Sequence, residues 1–306
     1  MNILSLVNAL PGAAAQGLIW GIMAIGVYLT FRILDVADLT VDGTMCTGGA
    51  VCVMMLMSGH NIWVSMLAAT GAGMLAGLAT GIFHTFMGIP AILAGILTQL
   101  GLYSANLKIM GKANQAVNGN KYNLLVSLRN VKGVPFYQNT ILIVAIFIVV
   151  LIAILYWFFG TELGCSLRST GCNPNMSRAQ GINTNVCKVL GLMISNGLVA
   201  LSSALLAQYQ GFADVNMGRG AIVIGLAAVI IGEAIFGRIF RNIALRLLSV
   251  AFGSILYYLV LQTVIWLGID TDLLKMLSAL VVAVFLAVPY WKTKYFTKPT
   301  KRGGNN

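Results

Sequence analysis

Long apolar runs leave this chain one kind of solvent. A helix that crosses a bilayer needs roughly 17 to 25 mostly apolar residues. Such runs recur near 12–33, 61–87, 138–160, 186–209, 220–237, 241–268 and 272–291. Lipid offers no partner to a backbone N–H or C=O, so each run must close its hydrogen bonds internally, as a helix does. Apolar residues make up 58% of the chain and charged residues 9%, so no stretch remains from which to build a water-soluble domain. The expectation is an all-α, polytopic, single membrane domain over 1–306.

Two more segments are less regular. Residues 44–58 are too short to cross alone and read as half of a broken helix whose other half carries Asp35, Asp38 and Asp42. Residues 89–108 carry Thr98, Gln99, Ser104 and Asn106, a polar face that should look towards protein or water. The count becomes about nine membrane segments. The first run is too long for a cleaved signal and follows no basic region, so it is expected to remain as a span. Gly71, Gly73, Gly77 and Gly81 are expected to let helices pack closely. Gly88, Ala91, Ile92 and Gly95 match Gly218, Ala221, Ile222 and Gly225 in order and spacing, which points to two related halves with a path at their interface.

Basic residues predict orientation. The tail 292–306, with Lys292, Lys294, Lys298, Lys301 and Arg302, and the linker with Arg238, Arg241 and Arg246 belong in the cytoplasm. Alternation then puts 161–185 in the cytoplasm as well, and the loop 108–137 outside. That loop breaks the rule, because Lys108, Lys112, Lys121, Arg129 and Lys132 lie in it with no acid between them. A partner that docks on the outer face explains those charges. The net charge of +11 is accounted for by orientation, without nucleic acid.

Asp38, Thr40, Asp42, Gly43 and Thr44 supply the turn chemistry of a helix break at membrane depth, with carboxylates and hydroxyls bonding freed amides. Contact with the ammonium group of a passing solute is the alternative. A carboxylate metal site is a third reading, with no further oxygen-rich run to support it. Glu233 sits near the end of a span; an intramembrane carboxylate is a functional candidate, and pairing with Arg238, Arg241 or backbone is the structural alternative.

The stretch 161–185, "TELGCSLRSTGCNPNMSRAQGINTN", predicts a short surface helix. Asn173 is its N-cap, Pro174 its first residue and Gly181 its stop, with Arg178 and Gln180 free to meet a partner. Arg168, Gly171, Asn173, Pro174, Ala179, Gly181, Ile182 and Asn183 together resemble the cytoplasmic loop of ABC importer permeases of the branched-chain amino acid and ribose type. Ser169 and Ser177 stand where that family has alanine, and both keep the side chain small. "DLTVDG" and "IIGEAIFG" resemble a branch associated with tryptophan or tyrosine uptake.

This resemblance implies a translocation subunit in a bacterial inner membrane, with a cytoplasmic C-terminus. A second copy, a separate ATPase subunit carrying ATP and Mg, and an extracytoplasmic substrate-binding protein would complete the importer. In it, Asn173, Pro174, Ser177, Arg178, Ala179, Gly181 and Ile182 would form the coupling helix against the ATPase. No cofactor, metal or catalytic residue is expected in the chain itself, and no nucleotide-binding G-x-x-x-x-G-K-[ST] run occurs. The other classes are an ion-coupled secondary transporter using Asp42 or Glu233, and an intramembrane enzyme. Two isolated histidines, His60 and His84, serve the last poorly.

Overall fold

A computed structural model describes residues 3–117, 122, 124–131, 139–237, 239–240, 242–267 and scattered positions between 276 and 287. Arg238, Arg241, Lys121, Lys132, most of the segment 272–291 and the basic tail lie outside the described residues, as does the side chain of Arg129.

The described helices are α1 (Ile3–Tyr28), α2 (Thr40–Met57), α3 (Ile62–Thr85), α4 (Ala91–Met110), α5 (Thr140–Gly160), α6 (Glu162–Cys172), α7 (Pro174–Ala179), α8 (Thr184–Gln210), α9 (Ala221–Phe236) and α10 (Ile243–Trp266). Seven of them are long and apolar enough to cross a membrane, namely α1 to α5, α8 and α10. The fold is an all-α polytopic one, as the apolar runs require.

Buried side chains fix which way the helices run. Tyr209 donates to the Gly12 carbonyl at 3.1 Å, Ser202 to Ile19 at 2.7 Å and Ser195 to Gly26 at 2.7 Å, so α8 and α1 are antiparallel. Helix α2 runs parallel to α8, with Thr44 bonded to Asn196 at 2.7 Å and Cys52 beside Gln208 at 3.6 Å. Helix α3 runs back along α8, because a Cβ on Gly73 would meet Asn196 and Ala200, one on Gly77 would meet Leu192, and one on Gly81 would meet Val189. In the same way Gly17 lies against Ile255 and Gly21 against Ala251, which sets α10 antiparallel to α1. These contacts are close because glycine and serine let backbones approach without a methyl group between them. Gly71 is different, with nothing within 4 Å of a Cβ placed there.

The bundle therefore has two ends. At one, the antiparallel strands β1 (Asn114–Ala116) and β2 (Phe212–Asp214) pair Gln115 with Ala213. At the other lie α6, α7 and the 34–39 connection. The described start of the loop after α4 and the 161–183 segment sit at opposite ends, as counting by alternation predicts.

Two features depart from the sequence reading. Residues 44–58 are not half of a broken helix, since α2 is continuous from Thr40. The break is the connection 34–39, where Asp35 takes the left-handed φ of 54° that aspartate tolerates better than bulky residues. It follows a π-helical turn at Leu29–Ile33 that ends α1. Second, α9 has 16 residues, about 24 Å of helix, against a hydrocarbon core of about 30 Å. One of its ends must lie at depth. Ala91 and Ala221, paired in the internal match, each open a helix, α4 and α9.

Candidate translocation and coupling sites

The α9 N-terminus solves its depth problem with a residue from another helix. Its first amides have no intrahelical acceptor, and among lipid tails they would find none. Asp42, in the first turn of α2, reaches across: Oδ2 accepts from Gly220 N and Oδ1 from Ile222 N, each at 3.0 Å. A carboxylate also complements the positive end of the helix dipole. Gly218 completes the contact, since any Cβ there would overlap the Asp42 carbonyl oxygen.

Asp38 performs the corresponding task for α2. Its Oδ1 accepts from Thr40 N at 2.9 Å and its Oδ2 from Asn196 Nδ2 at 2.7 Å, with the side chain buried. Asn196 Oδ1 receives the Thr44 hydroxyl at 2.7 Å, and Asn196 Nδ2 also reaches Leu192 O at 3.0 Å. Thr40 pairs with Thr80 at 2.6 Å, and Thr80 donates to Thr98 at 2.9 Å. A buried polar ladder thus ties α2, α3, α4 and α8 together. Each member is satisfied, which is what makes such a network tolerable in a dry interior.

The three aspartates have separate surroundings. Asp35 is exposed, Asp38 faces α8 and Asp42 faces α9. Thr40 and Thr44 join the network, while Gly43 serves by closeness, with Gln99 and Leu102 of α4 in contact with the space a Cβ would take. Asn196 and Thr80 are network members that the sequence reading overlooked. A lone asparagine in the apolar run of α8 was the available signal.

Beside Asp42 opens a cavity of about 250 Å³ between α2, α4 and the turn before α9, lined by Asp42, Gly43, Cys46, Gln99, Leu100, Tyr103, Asn106, Val215 and Arg219. Of the polar face anticipated on α4, Gln99 and Asn106 line this cavity, whereas Thr98 meets Thr80 of α3. Thr98 and Asn106 are buried, Gln99 is half-buried at the cavity wall, and Ser104 is exposed.

Among the described residues Glu233 pairs with Arg32, and the two arginines proposed for it, Arg238 and Arg241, lie outside them. Its Oε1 accepts from Arg32 Nε at 3.0 Å, with the two side chains 29% and 58% exposed. The π-helical turn at the end of α1 brings Arg32 to α9, a turn that residue spacing alone did not announce.

At the far end, α7 is built as its sequence predicts. Asn173 Oδ1 caps Met176 N at 3.1 Å, with Pro174 at the first helical position. At the C-terminus, Ile182 N bonds Ser177 O at 3.1 Å and Gly181 N bonds Arg178 O at 3.0 Å, around Gly181 with φ of 84°. This is the Schellman arrangement that glycine permits. Two details add to the expectation, and Arg178 stays exposed beside them. Arg178 donates its Nε–H to Thr184 Oγ1 at 2.8 Å, so it staples α7 to α8, and Ser177 is buried against Ser169 and Asn173. The large side chains that α7 exposes are Met176 and Arg178. The sequence reading also missed α6, whose N-cap Thr161 accepts from Gly164 N at 3.3 Å. Its Gly171 sits where any Cβ would strike the Ile33 carbonyl of the π-helical turn.

Lys108 and Lys112 are exposed at the β-ribbon end.

Comparison with known proteins agrees with this architecture. A family model described as branched-chain amino acid transport system / permease component matches residues 10–288. The chain is 39% identical to a tyrosine transport system permease protein of Clostridioides difficile, over 89% of this chain and 88% of that one. It is 27% identical to a fructose import permease protein of Bifidobacterium longum, over 87% and 73%. Among solved structures, PsaBC from Streptococcus pneumoniae in complex with Fab has a chain that superposes with a TM-score of 0.54 at 16% identity, covering 96% of this chain and all of that one. That likeness speaks for the fold alone.

Proposed function

The chain belongs to the branched-chain amino acid transport permease family and is a permease subunit of an ABC importer; from that premise we propose that it carries an amino acid, aromatic in side chain, across a bacterial inner membrane as one of two identical membrane subunits. A binding protein delivers the solute at the β-ribbon end, where Lys108 and Lys112 stand exposed with the loop that also carries Lys121, Arg129 and Lys132. A separate ATPase subunit, with ATP and Mg, docks at the α7 end in the cytoplasm. The chain needs no cofactor of its own.

The observation that carries this reading is α7 itself. A helix of six residues is far too short to hold by propensity, yet it is capped at both ends, stapled to α8 by Arg178, and joined to α6. It is a rigid, exposed knob at the foot of the helix that lines the polar ladder. Force applied there reaches the 34–39 connection through Gly171 and Ile33, and α2 through α8. The identity to a tyrosine permease supports the aromatic solute, and the polar cavity beside Asp42 gives a solute a place to pause.

The test is reconstitution of the chain with its ATPase and binding protein in proteoliposomes. ATP inside should drive L-tyrosine uptake, indifferent to ionophores. Uptake that follows an ion gradient without the ATPase would replace this reading with a secondary transporter.

A further inference from the structure

The cavity beside Asp42 contains more chemistry than helix capping uses. Resting on the importer reading, we propose that it is the transit site for a zwitterionic amino acid, with Arg219 holding the carboxylate, Asn106 and Asp42 facing the ammonium group, and Leu100 and Tyr103 forming the wall for the side chain.

Arg219 carries the first part of the argument. It lines the cavity and is exposed to it, and among the described residues it makes no ion pair. The carboxylate that lines the cavity, Asp42, forms no ion pair with it among the described residues. Asp42 caps the amides of Gly220 and Ile222 with one lone pair of each oxygen and keeps others for a further donor. A guanidinium offers donors only and matches a carboxylate in two places at once. Such a group at the cavity wall, with no carboxylate of its own among the described residues, is free to take one from a ligand.

Asn106 carries the second part. It is fully buried, its Nδ2 reaches Gly43 O at 3.5 Å, and its Oδ1 has no partner. Buried side-chain acceptors are nearly always satisfied. Asn106 lines the cavity, so a small turn of its side chain would present that unpaired oxygen to a donor, which an ammonium group supplies. The cavity thus has a donor-only group, Arg219, and acceptors, Asn106 Oδ1 and Asp42. That polarity fits a zwitterion, whereas a neutral sugar calls for mixed hydroxyl partners without net charge. Leu100 and Tyr103 are three apart on one face of α4, both exposed, and offer an apolar and aromatic surface.

A cysteine placed at Leu100 provides a readout that needs neither ATP nor the binding protein. In nanodiscs, and with Cys46 and the other native cysteines replaced, L-tyrosine should slow maleimide labelling of that cysteine, while tyramine, which lacks the carboxylate, should not. Arg219→Gln should weaken protection at least tenfold, and Arg219→Lys should restore part of it. Asn106→Leu should weaken it as well. Equal protection by L-tyrosine and tyramine, or full protection in Arg219→Gln, overturns the proposal. So does a loss in Arg219→Gln confined to binding-protein docking, which would make Arg219 part of the outer contact surface. Protection that persists where ATP drives no uptake would sustain the site and remove the importer reading instead.

Discussion

Asp42 and Ile222 are 180 positions apart in the sequence, and the carboxylate of one accepts the amide of the other at 3.0 Å. The bond holds the N-terminus of α9 against the first turn of α2 and ties the two helices together. Because α2 also shares Asn196 with α8, a shift that begins at α7 has a polar route to the cavity.

Replacement of Asp42 measures the bond. Leucine removes both acceptors and leaves two amides stranded where water is scarce. Each hydrogen bond to a charged group is worth about 1.5–3 kcal/mol, so Asp42→Leu should lower stability by roughly twice the loss in Asp42→Asn, whose amide keeps one oxygen. Thermal unfolding in detergent compares the two. Equal stability of both variants with equal loss of uptake would mean that the charge serves the solute and not the helix.

The glycines of α3 separate by face. Gly77→Leu forces a side chain into the Leu192 backbone and should cost about 1–3 kcal/mol or more, as overpacking does. Gly71→Leu meets nothing within 4 Å and should stay within about 0.5 kcal/mol. Denaturation in mixed micelles reads both. A matched loss in the two would show that helix propensity, and not the α3–α8 contact, sets the cost.

What could be read from the sequence follows from how far each cause reaches. Asn173, Pro174 and Gly181 act within a turn of helix, so their pattern announced α7 correctly. Gly73, Gly77 and Gly81 share one face by their spacing of four, and Gly71 falls off it, a distinction that the helical period contained and the grouping of four glycines ignored. Thr161 before Glu162 had the form of a helix start, yet a polar stretch between spans hid α6. The Asp42 contact and the Arg32 pairing with Glu233 join residues on different helices, which no local pattern encodes. The break takes in the first part of the aspartate run, with Asp35 and Asp38 in the 34–39 connection, while Asp42 already belongs to the first turn of α2.

The Arg32–Glu233 pair should be worth little to stability. Its members are 58% and 29% exposed, and pairs of that kind contribute about 0.2–1 kcal/mol. A double-mutant cycle of Arg32→Met and Glu233→Gln should give a coupling energy in that range, and uptake by Glu233→Gln should remain insensitive to a proton gradient. A gain of gradient dependence in the parent that Glu233→Gln abolishes would assign Glu233 to ion coupling.

The exposed lysines at the ribbon end should act on encounter. Lys108→Glu with Lys112→Glu should slow association of the binding protein, and the effect should shrink as salt rises, since exposed charges are screened beyond about 8 Å at physiological ionic strength. Stopped-flow or surface-binding rates at two salt concentrations decide it. Unchanged association at low salt would leave these lysines to lipid headgroups.

The coupling helix offers the sharpest separation of fold from function. Met176 is 60% exposed while Ser177 is buried and Arg178 is tied to Thr184. Docking should therefore use Met176 and its exposed neighbours, Arg178 among them, while the Arg178 bond to Thr184 also fixes their position. Met176→Asp should keep the fold within about 0.5 kcal/mol, as surface changes do, and yet abolish stimulation of the ATPase by the loaded binding protein. Ser177→Pro removes the amide that bonds Asn173 O at 3.1 Å and should unravel α7 at a cost of about 3 kcal/mol. Arg178→Ala should lie between, with partial stimulation, because the helix survives but loses its anchor. ATP hydrolysis by the reconstituted complex, with and without loaded binding protein, is the readout, beside thermal stability of the isolated permease. Full stimulation in Met176→Asp would remove α7 from the ATPase contact, whatever Ser177→Pro does to the fold.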